Sequence, residues 1–437
     1  MEIQRIDLLN FKLFEKFKLD LHPRFTMLVG ENGSGKTSLL DALAIVCGVW
    51  LYDVPDSKIK NSSRRPLSED YIRRVYQQRG DRSQFVEASK TAVIAEGILG
   101  AEYPTMWAEQ LLSGSRHKDL LSPARDYIRG LYHRSSEGAE VLLPIVAYYG
   151  AGRAWLPHNE RSRSPSRSYE PANRWAAFYD CLNERIRMAD LRQWFWDETT
   201  ERGNRGGKYR PGFEVVKWAI LRCVPGANEI WFDVDRKDIV LSIDDNAQPM
   251  ANLSAGQRTM MALVADIAIK AVTQNNHLVS SYEINLNGNE VPIVLAETPG
   301  VVLIDELDVH LHPRWQRRVV QDLKSTFPKI QFVCTTHSPQ IIGELPPDEI
   351  RLLHQQGQSP RQSFGMDSNW ILDVLMNSEE QNEQVQTEIA RIFEQIGAGE
   401  IDAARESMQE ARKRIGGTNK ELERAEAMLA RLKLLGK

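Results

Sequence analysis

The sequence predicts an α/β fold with a mixed sheet, an inserted helical lobe and a C-terminal helical appendage. A strand, a glycine-rich turn and a helix follow one another over residues 25–47. Apolar strands that end in polar residues recur at 301–306 and 330–337. After about residue 365 the sequence becomes rich in Ala, Glu, Arg and Leu with helical spacing. Strands that alternate with helices in this way are typical of α/β domains.

The composition of the 437-residue chain is that of a globular protein, with 42% hydrophobic and 26% charged residues. Its 55 basic and 59 acidic side chains give a formal net charge of -4, which argues against a histone-like coat protein but leaves room for local basic patches. The charged N-terminus and the short apolar runs predict a cytoplasmic protein without a secretory signal or a membrane-spanning segment. The cysteines form no CxxC pair, which favours a reducing compartment and argues against a zinc finger; they are Cys47, Cys181, Cys223 and Cys334.

Residues 1–150 are expected to form the N-terminal part of the core. Two amphipathic strands and a buried strand are predicted over 2–29, and TAVIAEGIL at 91–99 alternates like a further strand. The apolar run at 142–149 predicts another buried strand.

Three further segments are expected to complete the chain. Residues 151–228 form the helical lobe, which is rich in aromatic side chains, and 365–437 form the helical tail, used for assembly or for docking a partner. Residues 229–364 form the C-terminal part of the core. The elements predicted there are strands over 229–243, a helix over 255–274, a strand over 301–305, a helix from about 313 and a strand that ends before His337.

A phosphate loop is predicted at Gly30–Thr37, because GENGSGKT fits the pattern GxxxxGK[ST] between a strand and a helix. Backbone N–H groups of such a loop and the helix N-terminus bind phosphate oxygens. Lys36 would reach the β- and γ-phosphates of ATP, and the Thr37 hydroxyl would ligate Mg²⁺. A chance glycine-rich turn is the alternative, which the flanking strand and helix disfavour. The residues predicted to contact the nucleotide are Asn32, Gly33, Ser34, Gly35, Lys36, Thr37 and Ser38.

The strand at 301–304 ends in two carboxylates, Asp305 and Glu306. Asp305 is predicted to hold magnesium through water, and Glu306 to act as general base on an attacking water. Strands often end in surface acids, so this pattern is weak alone and strong only together with the phosphate loop.

A second anion site is predicted at LSAGQ, where Ser254 and the Gly256 backbone precede a helix. An ordinary N-cap serine is the alternative. His337 follows an apolar strand and, taken alone, is more often structural. The order of phosphate loop, LSAGQ, DE and histidine is what a sandwich-dimer ATPase needs. Ser254 and Gly256 of one protomer would close on the γ-phosphate held by the other, and His337 would sense that phosphate.

The chain resembles an ABC-type P-loop ATPase of the SMC/RecF/OLD branch, and it does not resemble a transporter subunit. ETPGVVLIDELDVHLHPRWQ (297–316) and TTHSPQII (335–342) are similar to the ATPase subunits of Septu-type and related retron anti-phage systems, the PtuA group. The start of the tail, SFGMDSNWILDVLM, is similar to that group as well. The resemblance covers most of the core and the tail, whereas 52–225 is weakly diagnostic.

This resemblance implies roles for single residues. It implies magnesium binding by Thr37 and Asp305, catalysis by Glu306 and a switch role for His337. It also implies nucleotide contacts from Gln257 in the LSAGQ segment and from Asp308 in a loop that crosses a dimer interface. Two departures are the Ala in LSAGQ, where LSGGQ is commoner, and the lack of an assignable glutamine loop. The turn after LPIVAYYG, which contains Arg153, is a candidate position for that loop.

The same resemblance implies the partners. Two protomers are expected to form a head-to-tail dimer, within a higher oligomer, that controls a separately encoded HNH nuclease. No HNH-type cluster, appended nuclease domain, CxxC hook or long heptad run is evident in the sequence. The alternatives are a RecF-like DNA-repair ATPase that acts without a nuclease, and a scaffold whose nucleotide is structural.

Other features allow two interpretations each. His310 and His312 form an HxH that suits either a metal or packing, and no third ligand is identifiable. Arginine clusters at 64–82 and 153–167 suit either DNA or RNA phosphates or a solvated surface.

Overall fold

The computed structural model describes residues 1–56, 59, 64–79, 82–100, 104–112, 121–154, 173–279, 286, 288, 290–377, 383–415 and 420–434. Within these ranges, no helix is both long enough and apolar enough to cross a lipid bilayer. The second arginine cluster, at 153–167, lies largely outside them.

Fourteen strands are present in the described residues. They are β1 (Glu2–Phe11), β2 (Phe14–Asp20), β3 (Phe25–Val29), β4 (Arg74–Arg79), β5 (Arg82–Glu87), β6 (Lys90–Ile98), β7 (Pro104–Leu112), β8 (Ile145–Tyr149), β9 (Ala227–Asp233), β10 (Asp238–Ile243), β11 (Asn246–Pro249), β12 (Gly300–Ile304), β13 (Ile330–Thr335) and β14 (Ile350–Leu352).

The main helices in the described residues carry numbers in chain order. They are α1 (Lys36–Cys47), α2 (Ser122–Ser136), α3 (Met188–Asn204), α4 (Pro211–Cys223), α5 (Ala255–Gln274), α6 (Ile293–Glu297), α7 (Pro313–Thr326), α8 (Pro339–Ile342), α9 (Glu383–Ala398), α10 (Ile401–Ile415) and α11 (Lys420–Leu434). A short helical turn, Ser368–Trp370, runs into a π-helical turn, Ile371–Leu375.

A five-stranded parallel sheet with the order β14-β3-β13-β12-β8 forms the centre of the core. Every residue of β3, β8, β12 and β13 is buried. Strands covered on both faces have continuous apolar sequences, which is why these four are visible in the sequence. Because parallel strands end at the same edge, the phosphate loop, the Asp305–Glu306 pair and His337 emerge side by side.

A four-stranded antiparallel sheet, β2-β1-β6-β7, covers the other side of α1. Helix α1 is apolar on nearly all sides because it packs between the two sheets. The buried Gln331 amide joins the sheets: it accepts from Ile3 N at 2.8 Å, and it donates to Ile3 O at 2.8 Å and to His22 O at 3.0 Å. The α/β fold with parallel and antiparallel strands is confirmed, and in the described residues the two kinds of strand lie in separate sheets.

The inserted segment contributes helices α3 and α4, which contact α5, and it leads into a three-stranded sheet, β11-β10-β9. Four of its aromatic side chains pack on one another: Trp194, Phe195, Tyr209 and Phe213. The Trp194 and Phe213 rings stack with their centroids 5.8 Å apart, and Phe195 meets Phe213 edge-on at 5.5 Å. Aromatic pairs of this kind stabilise a local core.

The chain divides into two compact units, Met1–Ser368 and Asn369–Lys437. The second unit has its own apolar core between α9, α10 and α11. Apolar side chains of the tail helices turn toward this core, with Ile389, Ile392 and Ile396 on one helix and Leu422 and Leu429 on another.

Candidate nucleotide-binding and hydrolysis site

The phosphate loop between β3 and α1 has a conformation that depends on its glycines. Gly33 and Gly35 have φ angles of 78° and 98°, a region that other residues rarely adopt. A Cβ atom on Gly35 would lie 2.5 Å from Phe14 Cζ, so the β1–β2 hairpin also requires glycine at this position. The loop therefore exposes backbone N–H groups at the start of α1, as a phosphate site requires.

Lys36 folds back onto the loop. Its ammonium group donates to Gly30 O at 2.7 Å and to Glu31 O at 2.9 Å. Burial lowers the pKa of Lys36, and the nearby carboxylates, Asp305 first, partly offset this shift. An ammonium group that is partly desolvated and, in the described residues, held by carbonyl oxygens is well placed to bind an anionic ligand.

Asp305 lies at the end of β12, directly opposite Thr37. The Thr37 hydroxyl donates to Asp305 Oδ2 at 2.9 Å, and the Thr335 hydroxyl donates to Asp305 Oδ1 at 2.6 Å. Hydroxyl and carboxylate oxygens are the ligands that Mg²⁺ prefers, so this donor set fits the predicted ion.

Glu306 follows in a left-handed backbone conformation, with φ of 48°. Its N–H donates to Thr335 Oγ1 at 2.7 Å, which holds the turn. A non-glycine residue with this φ is uncommon and often marks a functional site. The turn directs the chain away from the sheet, so that Glu306 borders the cavity that Lys36 and Thr37 also line.

A cavity of about 220 Å³ brings these residues together. Its lining residues are Leu13, Asn32, Gly33, Gly35, Lys36, Thr37, Ser38, Asp305, Glu306 and His337. Of the phosphate-loop residues predicted to contact the nucleotide, Ser34 lies outside this set, and its buried hydroxyl makes no hydrogen bond within the described part of the chain.

Two residues of the site were not predicted. Leu13, at the tip of the β1–β2 hairpin, lines the cavity because of tertiary packing, and nothing in its local sequence indicates this. Thr335 is fully buried and contacts both acidic residues at the end of β12. The signal for Thr335 in the sequence is its position at the end of the apolar strand that leads to His337.

Asp308 does not line this cavity, and its carboxylate accepts hydrogen bonds from within the chain. Asp308 Oδ1 accepts from Thr336 Oγ1 at 2.5 Å and from His337 N at 3.1 Å. Asp308 therefore fixes the turn that carries His337, so a nucleotide contact by Asp308 stays a prediction.

Ser254, Gly256 and Gln257 also lie outside the lining of the described cavity. Ser254 is the N-cap of α5: its Oγ accepts from Gln257 N at 3.2 Å, and Gln257 Oε1 accepts from Ser254 N at 2.9 Å. This capping box leaves the helix N-terminus exposed, because Ser254 itself is exposed. Within one protomer, none of these three residues borders the cavity that the phosphate loop lines.

The two histidines of the HxH have separate surroundings. His312 is the N-cap of α7, and its Nδ1 accepts from Arg314 N at 3.2 Å. His310 has a φ of 62°, and its carbonyl oxygen faces Gly256. Among the described residues, no cluster of three metal-ligating side chains includes either histidine.

The first arginine cluster is divided by the fold. The Arg64 guanidinium stacks on the Tyr52 ring at 3.7 Å, and Arg65 pairs with the buried Asp41 at 3.1 Å. Arg73 and Arg74 pair with acidic side chains, whereas the side chains of Arg79 and Arg82 lie outside the described part. Four arginines of this cluster thus contact partners within the protein.

Comparison with known proteins supports the reading of this site. A family model described as the RecF/RecN/SMC N terminal domain matches residues 2–359. The chain is 23% identical to the Retron Vc95 probable ATPase of Vibrio cholerae serotype O1 biovar El Tor, an alignment that covers 87% of this chain and 80% of that protein. These matches confirm the predicted resemblance to the SMC/RecF branch.

Two further relatives align over less of their length. The Septu protein PtuA of Bacillus mycoides strain KBAB4 is 25% identical over 80% of this chain and 40% of that protein. The Retron Ec83 probable ATPase of Escherichia coli is 33% identical over 37% of this chain and 28% of that protein. The chain thus spans less than half the length of these two relatives.

Among solved structures, an SMC head bound to the C-winged helix domain of ScpA covers 83% of this chain and 98% of that chain, with 16% identity and a TM-score of 0.47. An SMC head domain from Thermotoga maritima covers 80% and 94%, with 14% identity and a TM-score of 0.39.

Proposed function

Because the chain belongs to the RecF/RecN/SMC N-terminal domain family, we propose that it binds and hydrolyses ATP as the ATPase of an anti-phage defence complex. One observation carries the proposal: Lys36, Thr37, Asp305, Glu306 and His337 line a single cavity. Its relatives of the retron and Septu type supply the biological setting.

Each side chain has a task in this proposal. Lys36 leaves the loop carbonyls to bind the β- and γ-phosphates, and Thr37 and Asp305 hold magnesium. The bound ion supplies positive charge that offsets the charge of the phosphates. Glu306 accepts a proton from the attacking water, and His337 contacts the γ-phosphate.

The site is completed, in this proposal, by a second copy of the chain. Ser254 and Gly256 lie outside the protomer's own cavity, yet Ser254 caps an exposed helix N-terminus, which suits an anion. A head-to-tail dimer brings the α5 N-terminus of one protomer to the nucleotide of the other. Since a symmetric dimer repeats every contact, the two equivalent sites close at the same time.

The defence setting implies a partner. We propose that the nucleotide state of the dimer restrains or releases a separately encoded HNH nuclease, within a larger oligomer. Nucleic acid, DNA or RNA, is then the substrate of the nuclease partner.

Replacement of Glu306 tests the hydrolytic role. Glu306→Gln keeps the shape of the side chain but removes its basicity, so ATP turnover is expected to fall at least about a hundredfold. A fluorescent ATP analogue should still bind with wild-type affinity, because Lys36 and Thr37 are unchanged. Turnover by Glu306→Gln at the wild-type rate would contradict the assignment of the base.

A further inference from the structure

The segment Asp305–His312, here called the 305–312 loop, connects two parts of the proposed machinery. It begins with the two carboxylates at the end of β12 and ends at the N-cap of α7. Near its end, His310 O lies against Gly256 of α5: a Cβ atom on Gly256 would be 2.4 Å from this oxygen. The loop that carries Glu306 therefore touches the helix whose N-terminus is proposed to serve the partner's site.

The 305–312 loop does not hold this shape by local preference. Glu306 and His310 both have left-handed backbone angles, with φ of 48° and 62°. Such angles are unfavourable for residues other than glycine, and they persist only where the surroundings impose them. Contacts from outside the loop must supply that constraint.

Gln316, on the second turn of α7, makes such contacts with both ends of its amide. Its Nε2 donates to Leu311 O at 2.9 Å and lies 3.5 Å from Asp308 O. Its Oε1 accepts from Ser338 Oγ at 2.7 Å. A primary amide can donate on one side and accept on the other, which neither a carboxylate nor an alkyl side chain can do.

The contact with Ser338 closes a ring of hydrogen bonds around His337. Asp308 holds the other side of that turn through Thr336 Oγ1 and His337 N. Ser338 N donates to Thr336 Oγ1 at 3.0 Å, and Ser338 Oγ also caps α8. The loop after β12 and the turn after β13 thus form one connected unit.

We propose that Gln316 is a positioning residue, which locks the 305–312 loop to the turn at His337. This lock fixes the positions of Glu306 and of the α5 N-terminus relative to each other. The role rests on the proposed function, because it takes Glu306 as the base and Ser254 as a contact to the partner's nucleotide. Through this lock, loss of the γ-phosphate beside His337 changes the position of the α5 N-terminus, and with it the closure of the opposite site.

The test compares Gln316→Glu with Gln321→Glu. Both substitutions replace an amide with a carboxylate on α7, but Gln321 is exposed. The carboxylate in Gln316→Glu cannot donate to Leu311 O, so ATP turnover at saturation is expected to fall at least about tenfold near pH 8. Binding of a fluorescent ATP analogue to the protomer should change less than about twofold, because the phosphate loop is untouched. Gln321→Glu should match wild type in both measurements.

The pH profile separates positioning from simple loss of stability. A protonated carboxyl group regains a donor, and the half-buried position beside carbonyl oxygens raises the pKa of the introduced carboxyl group. Turnover by Gln316→Glu relative to wild type should therefore rise severalfold between about pH 8 and about pH 6. Gln321→Glu should show no such rise. Gln316→Met, which carries no charge, should lose turnover to a similar extent but at every pH.

Three outcomes overturn the proposal. Full turnover by Gln316→Glu and Gln316→Met would show that the lock is dispensable. A loss of turnover that follows a loss of folded protein, measured by thermal unfolding and without the pH response, would assign Gln316 a structural role only. Wild-type protein that binds ATP but does not hydrolyse it would overturn the proposed function, and this role with it.

Discussion

Single side chains fix the geometry of the acidic pair at the end of β12. Thr335 is the clearest case, because its hydroxyl donates to Asp305 and accepts from the N–H of Glu306. Thr335 is fully buried, so water does not compete for these hydrogen bonds. Both proposed functional carboxylates are thus oriented by one side chain on the adjacent strand.

Thr335→Val tests this orientation with an almost isosteric change. Loss of the hydroxyl removes a hydrogen bond to a carboxylate and leaves Glu306 N without its acceptor, at a cost of about 2–3 kcal/mol. We expect ATP turnover to fall tenfold or more and half-saturation by Mg²⁺ to need a higher concentration, on the order of tenfold. Thr326→Val is the matched control: Thr326 is equally buried, and its hydroxyl contacts Cys223 Sγ. Equal effects of the two substitutions would contradict the role of Thr335.

At the residue scale, the sequence predicted what lies in local motifs. Lys36, Thr37, Asp305 and Glu306 follow fixed patterns, and the structure places all four in one cavity. The contacts of Thr335 arise from tertiary packing between strands that are distant in sequence, so no local pattern marks them. Asp308 contacts Thr336 and His337 within the protomer, and its predicted contact with the nucleotide stays a prediction.

At the scale of elements, helix α5 makes a close backbone contact near its N-terminus. Its second residue, Gly256, faces the backbone of the 305–312 loop, and backbone cannot move aside as a flexible side chain can. The glycine is thus required for close approach rather than for an unusual φ. The sequence motif LSAGQ places a glycine here, but the sequence does not reveal what approaches it.

Gly256→Ala should separate α5 from the loop. The added methyl group would lie 2.4 Å from His310 O, so the helix or the loop must shift. We expect ATP-dependent dimerisation, measured by light scattering, to weaken at least about tenfold while nucleotide binding by the protomer is kept. Gly212→Ala on α4 is the control, because the nearest side-chain atom there is 3.6 Å away. Unimpaired dimerisation of Gly256→Ala would contradict the coupling between α5 and the loop.

The elements that the sequence predicted are those with one-sided or continuous burial. The strands β3, β8, β12 and β13 were predicted because all their residues are buried. The ribbon of β4 and β5 was not predicted, because both of its faces carry exposed residues and no alternation appears. β14 has three residues, too few for a period to show.

At the scale of the whole molecule, the chain divides into an α/β unit and a helical tail with its own core. The tail helices bury their main apolar faces in that core. Packing within the tail therefore explains the helical spacing of its apolar residues. A docking role must then use the remaining surface, where Met428 is one of the exposed apolar side chains.

Co-purification from the native operon tests the defence setting. We expect a small HNH protein to be recovered with several copies of this chain, identified by mass spectrometry and native mass. Recovery of a lone dimer that binds gapped DNA tightly and hydrolyses ATP faster in its presence would instead support a RecF-like repair ATPase. Turnover far below about one per second, unchanged by partner or DNA, would support a structural role for the nucleotide.

The most direct test of the composite site mixes two inactive variants. Lys36→Ala removes the phosphate contact but keeps the α5 N-terminus, whereas Ser254→Arg blocks that terminus and keeps the phosphate loop. In a head-to-tail dimer of one copy of each, one site contains only intact residues, so random mixing should restore ATP turnover, up to about a quarter of the wild-type value. A mixture that stays as inactive as either variant alone, beside an active wild-type protein, would contradict a site shared between protomers.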